Sequence, residues 1–151
     1  MKVRGWFALA VVGLALAQTG CAATAPPQVL AIDSRYEQLD LGSLGEVVCD
    51  LSFQPGPFDQ TGNEFRRQLS LADDGLVPEV KQTLKDQGFI VTSEALGSHG
   101  NVVRFDGPNS MTAGISYVSP DDAGDVIPFD GSKNCTVPAE GLTIVSLVLP
   151  K

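Results

Sequence analysis

Histidine is nearly missing from this chain: His99 is the only one in 151 residues. A structural zinc site takes about four His/Cys ligands, and one histidine with the well-separated Cys49 and Cys135 does not supply them. His99 stands in the turn Gly97-Ser98-His99-Gly100. One tight turn cannot set neighbouring Ser98 and His99 in the geometry of a Ser–His–carboxylate triad. Positive charge is scarce as well. Ten Lys and Arg face 18 Asp and Glu, a formal net charge of -8, and no basic run exceeds Arg66-Arg67. Phosphate backbones need clustered Lys and Arg, so nucleic acid is excluded as a partner. No apolar run reaches the about 20 residues that cross a bilayer. The length fits one ordinary domain and excludes a multidomain enzyme. What is present is a 43% hydrophobic composition, enough for a packed core.

The N-terminus reads as an export signal. Lys2 and Arg4 precede the apolar stretch Trp6 to Ala17, a positively charged n-region followed by an h-region of signal-peptide length. Two processing sites follow. Ala15-Leu16-Ala17 is a small-x-small site for ordinary signal peptidase. Thr19-Gly20-Cys21 resembles the lipobox of bacterial lipoproteins, in which a small residue precedes a cysteine that becomes diacylated; Gln18 stands where that pattern usually has an aliphatic residue. The resemblance covers residues 1–21 and implies a lipid on Cys21 and an extracytoplasmic location in the cell membrane or envelope. Cleavage after Ala17 would instead give a secreted protein. The Ala- and Pro-containing stretch after Cys21 suits a flexible tether over residues 21–32.

Cysteine counting bears on that choice. Three cysteines leave an odd thiol in an exported chain. A lipid on Cys21 consumes it, and an oxidising compartment would then pair Cys49 with Cys135. Removal of residues 1–20 takes Lys2 and Arg4 but no acid, leaving 8 basic against 18 acidic residues and a formal charge of −10.

The mature chain patterns as a single α+β domain over residues 33–151, a mostly antiparallel sheet with one main helix on one face. Gly45 to Phe53 is a β-branched run ending at the turn signal Gln54-Pro55-Gly56-Pro57. Glu64 to Leu71 alternates, with Phe65, Leu69 and Leu71 on one face and Arg67 breaking it; Thr61-x-x-Glu64 also permits a capping box, and strand is the preferred reading. Leu76, Val77, Val80 and Leu84 make a helical stripe. Gly75 caps its start, Pro78 lies in the first turn and Gly88 takes the C′ position. Four strands are expected after it: Phe89 to Leu96, Asn101 to Phe105, Ser110 to Ser119, and Gly141 to Leu149. The last is nearly continuous in apolar residues and belongs inside the sheet. The order of elements over residues 66–91 (RRQLSLADDGLVPEVKQTLKDQGFIV) is similar to that of a loose set of small bacterial lipoproteins of Gram-positive type, a likeness that implies no activity.

Among potential ligands only Asp121, Asp122, Asp125 and Asp130 are dense, in the segment PDDAGDVIPFDG. Their hard oxygen ligands could contact a cation such as calcium, but their spacing lacks the alternating Asp-x-Asp-x-Asp-Gly of a calcium loop. They are expected to form a solvated loop that contacts a cationic protein or peptide, since complementary charge steers encounter. No metal or other cofactor is implied, and no catalytic residue stands out. The function expected is a non-catalytic binding or interaction module, held at the membrane by its lipid. The alternatives are a small secreted hydrolase using a carboxylate pair and a purely structural lipoprotein.

Overall fold

The computed structural model describes residues 25–56, 64–97, 100–130 and 133–150. Eight strands and two α-helices follow the chain in the order α1 (Pro27–Leu39), β1 (Val47–Phe53), β2 (Glu64–Ala72), α2 (Val77–Asp86), β3 (Ile90–Gly97), β4 (Gly100–Asp106), β5 (Thr112–Val118), β6 (Val126–Asp130), β7 (Lys133–Thr136) and β8 (Leu142–Pro150). Six strands make one antiparallel sheet in the order β1-β2-β8-β5-β4-β3, and β6 and β7 form a separate hairpin. The architecture is α+β with the sheet dominant. As its apolar run requires, β8 lies inside the sheet, hydrogen-bonded to β2 on one side and β5 on the other.

The alternation of β2 resolves as strand. Phe65, Leu69 and Leu71 face the helices with Val145, Leu147 and Leu149 of β8, Ile115 of β5 and Phe105 of β4. Ile32 and Leu39 of α1 and Val80 and Leu84 of α2 close that core from above. Fully burying each such side chain is worth roughly 1.5–3 kcal/mol, so this layer carries the fold. Helix α2 begins after a 3-10 turn (Asp74–Leu76) in which the Asp73 carboxylate accepts from the Gly75 N–H at 2.7 Å. Pro78 lies in its first turn, and Gly88, at φ 85°, returns its N–H to the Lys85 carbonyl at 3.0 Å.

Two expectations are corrected. The tether expected over residues 21–32 overlaps a helix, and the described residues form two α-helices rather than one main one. Helix α1 starts at Pro27, whose missing N–H costs nothing in the first turn. Its Val29, Ile32, Tyr36 and Leu39 recur at helical spacing and pack on the core. Burial of that stripe outweighs the loose look of the Ala- and Pro-rich approach. The segment expected as an acidic loop also carries structure: from Val126 it becomes strand β6, paired with β7.

Candidate functional site

The sheet has two unlike sides. The side away from the helices is covered only in part, by the β6–β7 hairpin. Cys135 of β7 is bonded to Cys49 of β1, with Cα atoms 6.2 Å apart. Val137 and Ile127 meet Val118, Leu142, Ile144 and Val48 in a second, smaller apolar cluster. Pro128 is tolerated in β6 because that strand has a single partner.

Hairpin and sheet do not close completely. A cleft of about 340 Å³ remains between them, walled by Val118, Ile127, Val137 and Ile144 and bordered by Ser116, Asp122 and Asp125. That is the lower end of the size range of small-ligand sites, and its apolar walls with few polar groups match their make-up. Asp122 is half-buried and Asp125 exposed. The turn carrying them is set by local bonds: the Asp121 N–H donates to Ser119 Oγ at 3.2 Å, and Asp125 and Val137 are joined through the Val137 N–H and the Asp125 carbonyl at 2.9 Å.

Of the four acids singled out in the sequence, the structure gathers three at this end. Asp121, Asp122 and Asp125 share one turn, whereas Asp130 lies at the far end of β6, in register with Lys133. Strand geometry separates them, because four residues along a strand span about 13 Å. Other acids join the turn from elsewhere in the chain. The N–H groups of Asp73 and Asp74 donate to the carbonyls of Gly141 and Glu140 at 3.1 and 3.2 Å, and the Ala72 N–H donates to the Glu46 carbonyl at 2.8 Å. Gly141 holds this junction tight. At φ 79°, a Cβ there would lie 2.5 Å from the Val118 carbonyl oxygen and 3.1 Å from Asp74 Cβ. Among the described residues, no three of His, Cys, Asp and Glu come together as a metal site.

A second hollow on the same side is an open groove of about 600 Å³ over Thr112, Gly114 and Ser146, flanked by Glu64, Arg66, Arg104 and Asp106. Arg66 also lies 5.9 Å from the centroid of the Phe129 ring. Glu64 and Asp106 are the carboxylates here, on strands three positions apart. Three spacings of about 4.8 Å put their backbones some 14 Å apart, beyond the about 5–9.5 Å between the carboxyls of a glycosidase pair.

Arg67, the residue that breaks the β2 pattern, has its reason on the helix side. Its guanidinium donates from Nε and Nη2 to the two Asp50 oxygens at 3.0 and 2.7 Å, and from Nη1 to Asp33 Oδ1 at 2.8 Å. It also stacks 3.7 Å from the centroid of the Tyr36 ring. The hydrogen bonds to Asp50 foremost raise the guanidinium pKa. Burial, then the Asp50 carboxylate, push the Tyr36 phenol up from 10.0 to about 12. This cluster fastens α1 to β1 and β2 and opens onto no sizeable cleft. Sequence reading missed it, although helical spacing of Asp33 and Tyr36 is a usable signal.

Cys21 and His99 lie outside the described residues. No helix among the described residues is long and apolar enough to cross a membrane. Comparison with protein-family models, with curated proteins and with solved structures found no match.

Proposed function

We propose that this protein is an extracytoplasmic lipoprotein, anchored in the cell membrane or envelope through Cys21, whose domain is a non-catalytic binding module for a cationic protein or peptide. The observation that carries the reading is the apolar cleft beneath the β6–β7 hairpin, bordered by Asp122 and Asp125. It has the walls of a binding site. Asp122 and Asp125 are the charged side chains among its described lining residues. The Cys49–Cys135 bond agrees with an oxidising compartment. It also leaves Cys21 as the remaining cysteine, which lipidation would use.

Fractionation tests the anchoring. Two acyl chains hold a protein on a bilayer where one is marginal, so the wild-type chain is expected in the membrane fraction and the Cys21→Ser variant in the soluble one. Equal membrane association of both rejects the anchor. A partner recovered from envelope extract by the wild-type chain, and lost with Asp122→Asn/Asp125→Asn, supports the module; a partner retained by the double variant places binding elsewhere.

A further inference from the structure

Carboxylates without a nearby base crowd one end of the sheet, whereas the other end carries both signs, Glu64 and Asp106 standing with Arg66 and Arg104. Four separate connections converge at one end of the sheet and bring Glu46, Asp73, Asp74, Asp122, Asp125 and Glu140 there, with Asp122 and Asp125 at the cleft itself. There is no Lys or Arg in residues 36–65, 68–80, 105–132 or 134–150, so no base of these stretches offsets them. Arg66 and Arg104 flank the groove toward the opposite end. Lys133 is there too, its Nζ donating to the Ser52 carbonyl at 3.4 Å.

Helix α1 gives the molecule a direction. Its N-terminal residues Val29 and Ile32 lie beside Phe53 and Phe65, where β1 ends and β2 begins. Its C-terminus turns through Leu41–Ser43 into the start of β1, at the acidic end. A 13-residue helix is about 20 Å long. The five residue-to-residue steps from Cys21 to Pro26 reach at most about 18 Å. A lipid on Cys21 would therefore join the domain where β1 ends and β2 begins, with the acidic end and its cleft at the opposite end of the sheet.

We infer that this acidic end receives a short basic segment of an extracytoplasmic protein, which inserts one or two apolar side chains into the cleft while its Lys or Arg residues meet the surrounding carboxylates. The inference rests on the binding-module reading and goes beyond it by naming the segment and the face that takes it. Charge complementarity selects the partner's sign: an acidic or anionic surface is repelled here. The apolar walls require more than charge. A purely hydrophilic cation leaves Val118, Ile127, Val137 and Ile144 uncovered, and contact with them supplies the part of the affinity that does not fade with salt.

The test uses the purified mature chain and three synthetic peptides: Lys-Lys-Leu-Phe-Lys-Lys, a version with Ser in place of Leu and Phe, and a version with Glu in place of Lys. The first is expected to bind with NMR shift changes at Val118, Ile127 and Val137, and the other two at least about ten-fold more weakly, since one good apolar contact or charge pair is worth about a factor of ten. Asp122→Asn/Asp125→Asn should weaken the first peptide several-fold with an unchanged melting curve. Equal binding of the Ser peptide, shifts confined to the Arg66–Arg104 groove, or no binding by any of the three overturns the inference. Preferred binding of the Glu peptide in the same cleft overturns it too, yet leaves the binding module standing; loss of the partner-capture result described above removes the module itself.

Discussion

The two sides of the sheet do different work with the same strands. On the helix side, residues at every second position are apolar and buried beneath α1 and α2, and the one charged intruder, Arg67, is held by Asp33, Asp50 and the Tyr36 ring. On the other side the same strands present Thr112, Gly114, Ser116 and Ser146, and one small hairpin covers only part of them. Burial on the first side accounts for stability. The incomplete cover on the second leaves a cleft that stability does not require. Where a sheet is sealed, its side chains specify the fold; where it is left open, they are free to specify a ligand.

The sharpest way to separate the two sides is to release the hairpin. Cys49 and Cys135 are 86 residues apart, and closing a loop of that size stabilises by roughly 4.5 kcal/mol on the chain-entropy model. The Cys49→Ser/Cys135→Ser variant should lose about that much in denaturant unfolding. Hydrogen exchange should rise first in β6 and β7, with α2 and β4 keeping their protection. Simultaneous loss on both sides would erase the distinction.

Next in size is the core. Leu84 is fully buried on α2, and Leu84→Ala should cost about 3 kcal/mol. Ser146→Ala, on the open side, should stay within about 0.5 kcal/mol. Comparable losses from the two would deny that the helix side carries the fold.

The Arg67 cluster sits between those extremes. Its side chain is 21% exposed, so solvent screens the ion pairs in part, and Arg67→Ala should cost about 1–2 kcal/mol by loosening α1. Tyr36 provides a pH reading of the same contact. Its phenol folds with a pKa raised from 10.0 to about 12, so the folded state favours the neutral form. Whatever stability this contributes is complete below pH 10 and lost as pH rises toward 12. A spectroscopic titration of a Tyr117→Phe variant, which isolates Tyr36, should show the late phenolate, and normal titration would contradict the cluster.

The smallest effect has the opposite sign. Ser70 is buried and its Oγ has no hydrogen-bond partner among the described residues. Removing an unpaired buried hydroxyl leaves nothing unsatisfied, so Ser70→Ala should be neutral or stabilise by up to about 1 kcal/mol. A loss larger than that would reveal a bond to Ser70 that the structure does not contain.

Much of the helix side was legible from the sequence, because period-two and helical patterns report burial directly. The stripe of Val80 and Leu84, the alternation of Phe65, Leu69 and Leu71, and the apolar run of β8 each declared a face. Helix α1 was hidden by its Pro- and Ala-rich approach, although Val29, Ile32, Tyr36 and Leu39 carry the spacing. The hairpin was hidden for another reason: Pro128 and the acids around Val126 and Ile127 read as loop, and one buried face of a two-stranded ribbon leaves a weak period. The cleft could not be read at all. Its walls come from β5, β6, β8 and the segment after β7, and only the folded sheet brings the distant acids Asp73, Asp74 and Glu140 to the end that Asp122 and Asp125 occupy.

One measurement tests the central claim, that the hairpin side is the recognition face and the helix side is not. Leu30 and Val126 are similarly exposed, 53% and 56%, on opposite sides of the molecule. A photo-crosslinking residue placed at each position in turn, in intact cells, compares the two faces directly. A protein adduct is expected from position 126 that disappears with Asp122→Asn/Asp125→Asn, and none from position 30. Adducts from position 30 alone, or equally from both positions and unaffected by the double variant, would contradict that claim.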